Sequence, residues 1–410
     1  MNRQIRSWVI YDFANSLASI VVAFYFALYF VDTLGLSDVW ISLVSVMSTF
    51  ALLFILPQFG SKADKLGLHK KYLTLTTILT GLSLVCLGLF MSLFSVSNSV
   101  GVFLIIIFYF LFQVLYQAAV SFYTSFLKGI AIGKEDKIAG IGNGLGQLGN
   151  FIGLAVGFVI VSKAVHLSFL TPISLLFILN AIIFLFIFFF LQKGFIQNTI
   201  TTNTSYFKLS LTESLKKVWS NKNILYYLIG FLLYSDSILT LNIFISLYLK
   251  KVGGLADGAI SLLGLVGLMA GVIGAFLMPW IAKKIGSQKK TTITFIILYG
   301  ILVVIFALCV TFTQFLICLI FAGLLFGLLF SISLSMYTRL IPKNEEGEYY
   351  GFYVLFSRFA SIIGPPLWSL TAFAFASWGD DRYRFSVIAL AILVFVSLFF
   401  IRKVKEEYIA

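Results

Sequence analysis

The chain has 410 residues, of which 60% are hydrophobic, 17% aromatic and only 11% charged, with a mean hydropathy of +1.03. A soluble domain of this length cannot hide so much apolar surface, so the composition excludes that class and predicts a membrane protein. The formal net charge of +13 does not indicate nucleic acid, because the basic residues lie in short connections between apolar runs.

Twelve apolar runs are long enough to cross a bilayer, which takes about 20 residues of helix. They predict spans near residues 8–31, 39–60, 72–94, 100–126, 138–162, 172–192, 223–249, 258–280, 291–311, 314–337, 349–375 and 383–401. The only long polar connection follows the sixth run. We therefore predict a six-helix bundle at 1–192, a cytoplasmic linker at 193–222 with an amphipathic helix near 210–219, and a second six-helix bundle at 223–410.

Orientation follows from the basic residues. Most of the 29 lysines and arginines fall on one side if the N-terminus is inside, as the positive-inside rule requires. No cleavable leader is indicated at the N-terminus, because its apolar run is too long. We predict that both termini are cytoplasmic and that the protein lies in the plasma (inner) membrane.

The first span carries a polar stripe. Asp12, Asn15, Ser16 and Ser19 follow the i, i+3, i+4, i+7 spacing of one helical face. A charge within a span is costly and tends to face the protein interior. Because Asp12 lies close to Trp8 and the inner interface, two interpretations stay open. It is either a solvated acid or a member of the proton and charge centre in a polar cavity lined by Asn15, Ser16 and Ser19.

The connection from Gly60 to Lys71 places Asp64 between Gly60 and Gly67 and ends in a basic cluster. This pattern resembles the loop signature of the major facilitator superfamily, in which the loop latches the two halves in the outward-open state. The resemblance implies a gating role for Gly60, Asp64 and Gly67; the alternative is an inner loop whose bases only set topology. The fourth helix lacks the arginine that the family often has there.

Polar positions agree between the halves, which indicates a parallel repeat. Positions in the fourth and fifth runs correspond to positions in the tenth and eleventh, each set on one helical face. We predict cavity-lining roles for Gln113, Gln117, Ser121, Gln147, Asn150, Ser331 and Ser335. The alternative is hydrogen bonding between helices, worth about 1 kcal/mol each.

Glycines repeat on the fifth and eighth helices. The fifth has Gly149, Gly153 and Gly157, and the eighth has Gly264, Gly267, Gly271 and Gly274. A phosphate-binding glycine loop would need a preceding strand in a soluble unit, so we interpret these faces as close-packing surfaces. They would suit bundles that rock against each other.

The second half carries a charged centre. Asp236 lies about 15 Å along the seventh helix, near the predicted midplane, and Arg358 is the other ionisable residue at comparable depth. We predict that they pair and that Asp236 takes up the coupling proton, beside cavity residues Thr240 and Asn242. The alternative is an ion pair that only fixes one helix against the other.

Several segments together are similar to the vacuolar amino-acid effluxers linked to autophagy and their bacterial relatives, a branch of the same superfamily. They include Trp8 to Ser16, Gly140 to Gly146, Tyr234 to Asp236, Arg339 to Pro342, Glu348 to Tyr353, Gly364-Pro365 and Arg382-Tyr383. The resemblance implies transport of small polar organic solutes, amino acids among them, with helices one, four, seven and ten lining the cavity. Gln147 to Asn150 departs from the family's usual Tyr-Leu-Gly-Gly.

We predict an all-α major facilitator fold and a secondary active transporter, symporter or effluxer, that works by alternating access, is coupled to protons and is monomeric. The alternative is a non-transporting sensor or scaffold on the same fold. No catalytic constellation, cofactor or metal site is indicated, so we do not expect an enzyme. The cysteines Cys86, Cys309 and Cys318 indicate packing and no disulfide framework.

Overall fold

The computed structural model describes residues 3–93, 99–130, 135–162, 170–195, 219–341, 353, 356–357 and 359–405. The chain forms two compact units, Met1–Thr202 with Ala256–Leu265, and Asn203–Leu255 with Val266–Ala410. The predicted amphipathic helix near 210–219 falls almost wholly outside the described residues.

The first unit contains α1 (Arg3–Leu28, continued by a π-helical turn, Tyr29–Thr33), α2 (Val39–Leu66), α3 (His69–Leu93), α4 (Ser99–Ser125), α5 (Glu135–Ser162) and α6 (Pro172–Leu191). The remaining helices are α7 (Lys222–Lys251), α8 (Asp257–Ile285), α9 (Gln288–Leu308), α10 (Phe312–Leu340), α11 (Gly364–Ala374) and α12 (Arg382–Lys403). Only the first turns of α8 group with the first unit.

Eleven helical segments of the described chain are long and apolar enough to cross a membrane. They coincide with the predicted spans, except for the eleventh, 349–375, which lies partly outside the described residues. Within that span the structure shows the helix α11 and, before it, a non-helical stretch from 360 to 363. The chain is an all-α, multi-pass membrane protein.

An aromatic cluster joins three helices of the first unit. Trp8 Nε1 donates a hydrogen bond to the carbonyl of Tyr123 (3.1 Å), and the two rings stack with centroids 4.6 Å apart. Tyr11 also stacks on Tyr123 (centroids 4.9 Å apart), and its hydroxyl lies 2.8 Å from Thr77 Oγ1. Since all these rings are buried, α1 is fixed in register against α3 and α4, and with it the depth of Asp12.

Helix α5 packs on α1 through its glycines. A Cβ on Gly149 would collide with the backbone carbonyl of Phe13, and one on Gly153 would lie 2.6 Å from Ile20 Cγ2. A Cβ on Gly157 would lie 2.6 Å from the Tyr25 ring. The glycine face of α5 therefore forms a contact inside the first unit, where it lets two backbones approach closely.

Helices α8 and α10 contact each other through glycines on both sides. A Cβ on Gly323 would meet the carbonyl oxygen of Gly267, and one on Gly327 would meet that of Gly271. A Cβ on Gly274 would meet the carbonyl oxygen of Leu324. This reciprocal arrangement holds the two helices of the second unit at backbone-to-backbone distance.

Candidate functional site

Asp236 lies in the middle of α7 and is fully buried. Its Oδ2 accepts hydrogen bonds from the backbone N–H groups of Ile363 (2.8 Å) and Gly364 (3.0 Å). Its Oδ1 accepts one from the Thr240 hydroxyl, one turn further along α7 (3.3 Å). The carboxylate thus caps the first turn of α11 from a neighbouring helix.

The local sequence explains why α11 needs this cap. The first four N–H positions of a helix lack partners within it, and here they belong to Ile363, Gly364, Pro365 and Pro366. The two prolines have no N–H to satisfy. Asp236 binds the other two, so every donor of this helix start is accounted for. The amino end of a helix also carries a partial positive charge, which favours a carboxylate there.

The predicted partner of Asp236, Arg358, lies outside the described residues, so their pairing stays a prediction. What the structure adds is a second source of stabilisation. Three uncharged groups, two amides and a hydroxyl, donate hydrogen bonds to the buried carboxylate. Hydrogen bonds of this kind are stronger than neutral ones.

Helix α7 makes a second set of polar contacts, with α10. The hydroxyl of Tyr234 lies 2.6 Å from Ser333 Oγ, and that of Tyr227 donates to the carbonyl of Ser333. The predicted Ser331 and Ser335 flank this residue and are half-buried, and Ser335 Oγ accepts a hydrogen bond from Gln288 Nε2 (2.7 Å).

In the first unit, the predicted stripe on α1 faces a tyrosine of α4. Asn15 is buried, and its Nδ2 donates to the hydroxyl of Tyr116 (3.2 Å). Asn15 Oδ1 is buried and has no hydrogen-bond donor among the described groups. Ser16 and Ser19 are half-buried, and Ser19 Oγ donates to the Ser16 carbonyl (3.1 Å). The Asn15 amide oxygen can therefore accept a hydrogen bond from a solute.

The other predicted cavity residues lie in several environments. Gln113 donates to the hydroxyl of Tyr109 (2.9 Å), which favours the helix-bonding alternative for its amide nitrogen. The half-buried residues are Gln113, Gln117, Ser121 and Asn150, and the exposed ones are Gln147 and Asn242. Asn150 Nδ2 donates to Gln147 Oε1 (3.3 Å), so the two amides that depart from the family pattern contact each other.

Asp12 lies where α5 crosses α1. A Cβ on Gly146 would lie 3.0 Å from Asp12 Oδ2 and 2.9 Å from Ser16 Oγ. A side chain at this position would require Asp12 and Ser16 to shift, so Gly146 favours the close approach of α5 to these two polar groups. Asp12 is half-buried, a position between the two interpretations left open by the sequence.

The predicted gating loop begins inside a helix. Gly60 and the backbone of Asp64 belong to the last turns of α2, which ends at Gly67 in the left-handed region (φ 62°) that glycine favours. The side chain of Asp64 lies outside the described part of the structure. His69, at the start of α3, places its Nδ1 3.0 Å from Ser125 Oγ of α4.

Sequence reasoning missed the tyrosines of the site and the backbone donors. Tyr109, Tyr116 and Tyr234 each share a hydrogen bond with another polar side chain. For Tyr109 and Tyr116 the signal was a spacing of four and three residues from the predicted Gln113, which places them on its face of α4. Tyr234 had no signal beyond its place in a family marker segment. The residues that the structure describes contain no group of three or more histidines, cysteines or acids that could hold a metal ion.

The architecture matches solved transporters. A variant of the nucleoside transporter NupG superposes on 98% of this chain and 100% of its own with a TM-score of 0.78 at 13% identity, a likeness that shows the fold alone. This fold is that of the major facilitator superfamily. That the chain is a membrane transporter in class rests on its sequence relatives and on a family model.

The family follows from sequence comparison. The family model described as "Vacuole effluxer Atg22 like" matches residues 128–408, and the chain belongs to this family. The uncharacterized MFS-type transporter YxiO of Bacillus subtilis (strain 168) is 26% identical over 99% of this chain and 95% of its own length. Autophagy-related protein 22 of Vanderwaltozyma polyspora is 26% identical over 48% of this chain and 39% of its own. The resemblance seen in the sequence is confirmed.

Proposed function

We propose that the protein is a secondary active transporter that moves a small polar organic solute, with amino acids the first class to test, by alternating access coupled to protons. The observation that carries this proposal is the buried carboxylate of Asp236 at the start of α11. A buried ionisable group inside a span marks a functional site by default, and proton relays are one such use.

The chemistry of the cap supplies a coupling step. Ionised Asp236 accepts the N–H groups of Ile363 and Gly364 and holds α11 against α7. Protonation removes the negative charge and weakens these charge-assisted hydrogen bonds. The start of α11 can then shift, so protonation of Asp236 is coupled to a movement of the helix.

The solute class follows from the polar groups at hand. Asn15 and Tyr116 in the first unit offer an amide oxygen and a hydroxyl. Such groups orient polar solutes by hydrogen bonding. The family description names a vacuole effluxer, and the resemblance to amino-acid effluxers makes amino acids the natural starting point. We further propose a monomer in the plasma (inner) membrane with both termini cytoplasmic.

The test is transport by the purified full-length chain in proteoliposomes. A thermal-shift screen over amino acids, nucleosides, sugars and organic acids first finds a ligand, because a ligand of the folded state raises apparent stability by mass action. Uptake of that ligand is then measured with and without an imposed pH gradient. Ligand binding without any flux would favour a sensor or scaffold and contradict the proposal.

Asp236→Asn tests the proton site. The amide oxygen can take the place of Oδ2 while its NH₂ group donates to the Thr240 hydroxyl, so the fold is kept and the charge is lost. We expect gradient-driven accumulation to disappear and counterflow exchange to remain. Asp380→Asn is the control, since Asp380 is exposed and its substitution should leave both activities unchanged. Full uphill uptake by Asp236→Asn would refute the assignment.

A further inference from the structure

Two cysteines meet at the corner between α9 and α10. Cys309 is the first residue after α9, and Cys318 lies in the second turn of α10. Their Sγ atoms are 3.5 Å apart, and both residues are buried. The sequence indicated only packing residues here, because a spacing of nine inside apolar runs is not a disulfide or metal pattern.

Hydrogen bonds hold the chain between the two cysteines and at Cys309. Gln314 Oε1 accepts hydrogen bonds from the backbone N–H groups of Val310 (2.9 Å) and Thr311 (3.1 Å), and the Thr311 hydroxyl accepts one from Gln314 N. This capping box fixes the chain between the cysteines. Arg384 of α12 donates to the carbonyl of Cys309 (3.0 Å) and so holds the end of α9.

A disulfide needs an S–S distance of about 2.05 Å and Cβ atoms about 3.5–4.5 Å apart. Rotation about χ1 can bring the two sulfurs, now 3.5 Å apart, to bonding distance, whereas the Cβ separation is set by the backbone. In the proposed orientation, the connection between the ninth and tenth spans lies on the outer side of the membrane. That side is oxidising in bacteria and in secretory compartments, and disulfides persist there.

We propose that Cys309 and Cys318 form a disulfide that links the outer ends of α9 and α10. One thiolate attacks a disulfide oxidant of the thiol–disulfide oxidoreductase class, forming a mixed disulfide and releasing one oxidant thiolate. The second thiolate of this chain then attacks the first cysteine's sulfur in the mixed disulfide and releases the second thiolate of the oxidant. The two cysteines lose two protons and two electrons, and the oxidant becomes a dithiol.

The bond would close a short loop around the capping box. A cross-link stabilises a fold mainly by restricting the unfolded chain. We therefore expect the oxidised protein to unfold at a higher temperature than the reduced one. The link also ties α10, a predicted cavity helix, to α9 at one end.

Thiol counting by mass spectrometry tests the proposal on the wild-type chain. Cells expressing it are quenched in acid, denatured and treated with a maleimide, and the intact mass is measured before and after reduction. Of the three cysteines, only Cys86 should react before reduction, and all three should react after it. A parallel sample, purified reduced and folded, is treated with oxidised glutathione and should reach the same state.

The controls separate the pair from the third thiol. Cys86→Ser should show no maleimide before reduction and still form the link, while Cys318→Ser should react at both remaining cysteines. Three maleimides on wild-type protein trapped in cells would overturn the proposal. So would glutathione adducts on Cys309 and Cys318, or zinc or copper retained by the pair in elemental analysis.

Discussion

At the scale of single residues, the side-chain amide of Asn15 is hydrogen-bonded at its nitrogen but not at its oxygen. Its Nδ2 is tied to Tyr116, while its buried Oδ1 accepts no hydrogen bond from the described groups. A buried acceptor without a donor costs about 1–3 kcal/mol, and such exceptions need a reason. A solute N–H group would recover that cost on binding.

Replacing Asn15 by Leu should therefore weaken solute binding more than it lowers the stability of the fold. Loss of one hydrogen bond to a charged solute group corresponds to about a tenfold rise in KM. Tyr116→Phe is the matched variant, since it removes the hydroxyl that holds the amide but leaves the acceptor. We expect a smaller rise for it. Unchanged uptake kinetics in Asn15→Leu would remove this residue from the solute site.

The sequence could locate Asp236 but not its partners. Depth within an apolar run showed that the charge of the carboxylate must be compensated, and the only other ionisable side chain predicted at that depth was Arg358. The donors found in the structure are the backbone N–H groups of Ile363 and Gly364, which no residue type reveals. Two consecutive prolines inside a predicted span were the available signal, because proline at a helix interior breaks it.

At the scale of helices, the glycine face of α5 decides how closely α1 can approach. Gly149→Leu should push the two helices apart, because its Cβ would collide with the Phe13 carbonyl. Overpacking of this kind costs about 1–3 kcal/mol. Gly144→Leu on the same helix is the control, since nothing lies within 4 Å of that position.

We expect Gly149→Leu to lower the thermal unfolding temperature and impair uptake, and Gly144→Leu to behave like the wild type. The measurement is fluorescence-detected unfolding in detergent followed by uptake in proteoliposomes. Equal stability of the two variants would mean that α1 and α5 are not in the contact described.

Hydropathy was sufficient for most of the spans, because a 20-residue apolar run has one stable form in lipid. Hydropathy does not predict which helices pack against each other. The repeated glycines predicted close contacts, but only the structure shows that those of α5 face α1 and those of α8 face α10. Spacing along one helix gives a face and does not say which helix covers it.

At the scale of the whole molecule, the segment from Gly60 to Gly67, which the structure places at the end of α2, is predicted to set the balance between conformations. The resemblance to the superfamily gives Asp64 a latch role in the outward-open state. Asp64→Asn should then shift the population toward inward-open forms, since a ligand or contact favours the state to which it binds better.

Pairs of spin labels across the inner and the outer ends of the molecule would report this shift as changed distance distributions. Ligand binding should be retained, because the residue does not belong to the predicted solute site. Lys62→Gln, an exposed neighbour, serves as the control for charge alone. Identical distributions for Asp64→Asn and wild type would exclude the latch.

The glycine contact between α8 and α10 determines whether a second substitution can restore the function lost by a first. A Cβ on Gly327 would collide with the backbone carbonyl of Gly271, an atom that every amino acid carries. A Cβ on Gly81 of α3 would instead meet the side chain of Leu185 of α6, with its Cγ at 2.5 Å. Damage at the second position is therefore reversible by shortening its neighbour.

In a suppressor selection for uptake, Gly81→Ala should be rescued by Leu185→Val or Leu185→Ala, whereas Gly327→Ala should yield no suppressor at Gly271. Such a selection would divide the glycines of this chain into those with a mutable neighbour and those opposed by main chain. A suppressor of Gly327→Ala at Gly271 would show that the two backbones can separate and still transport.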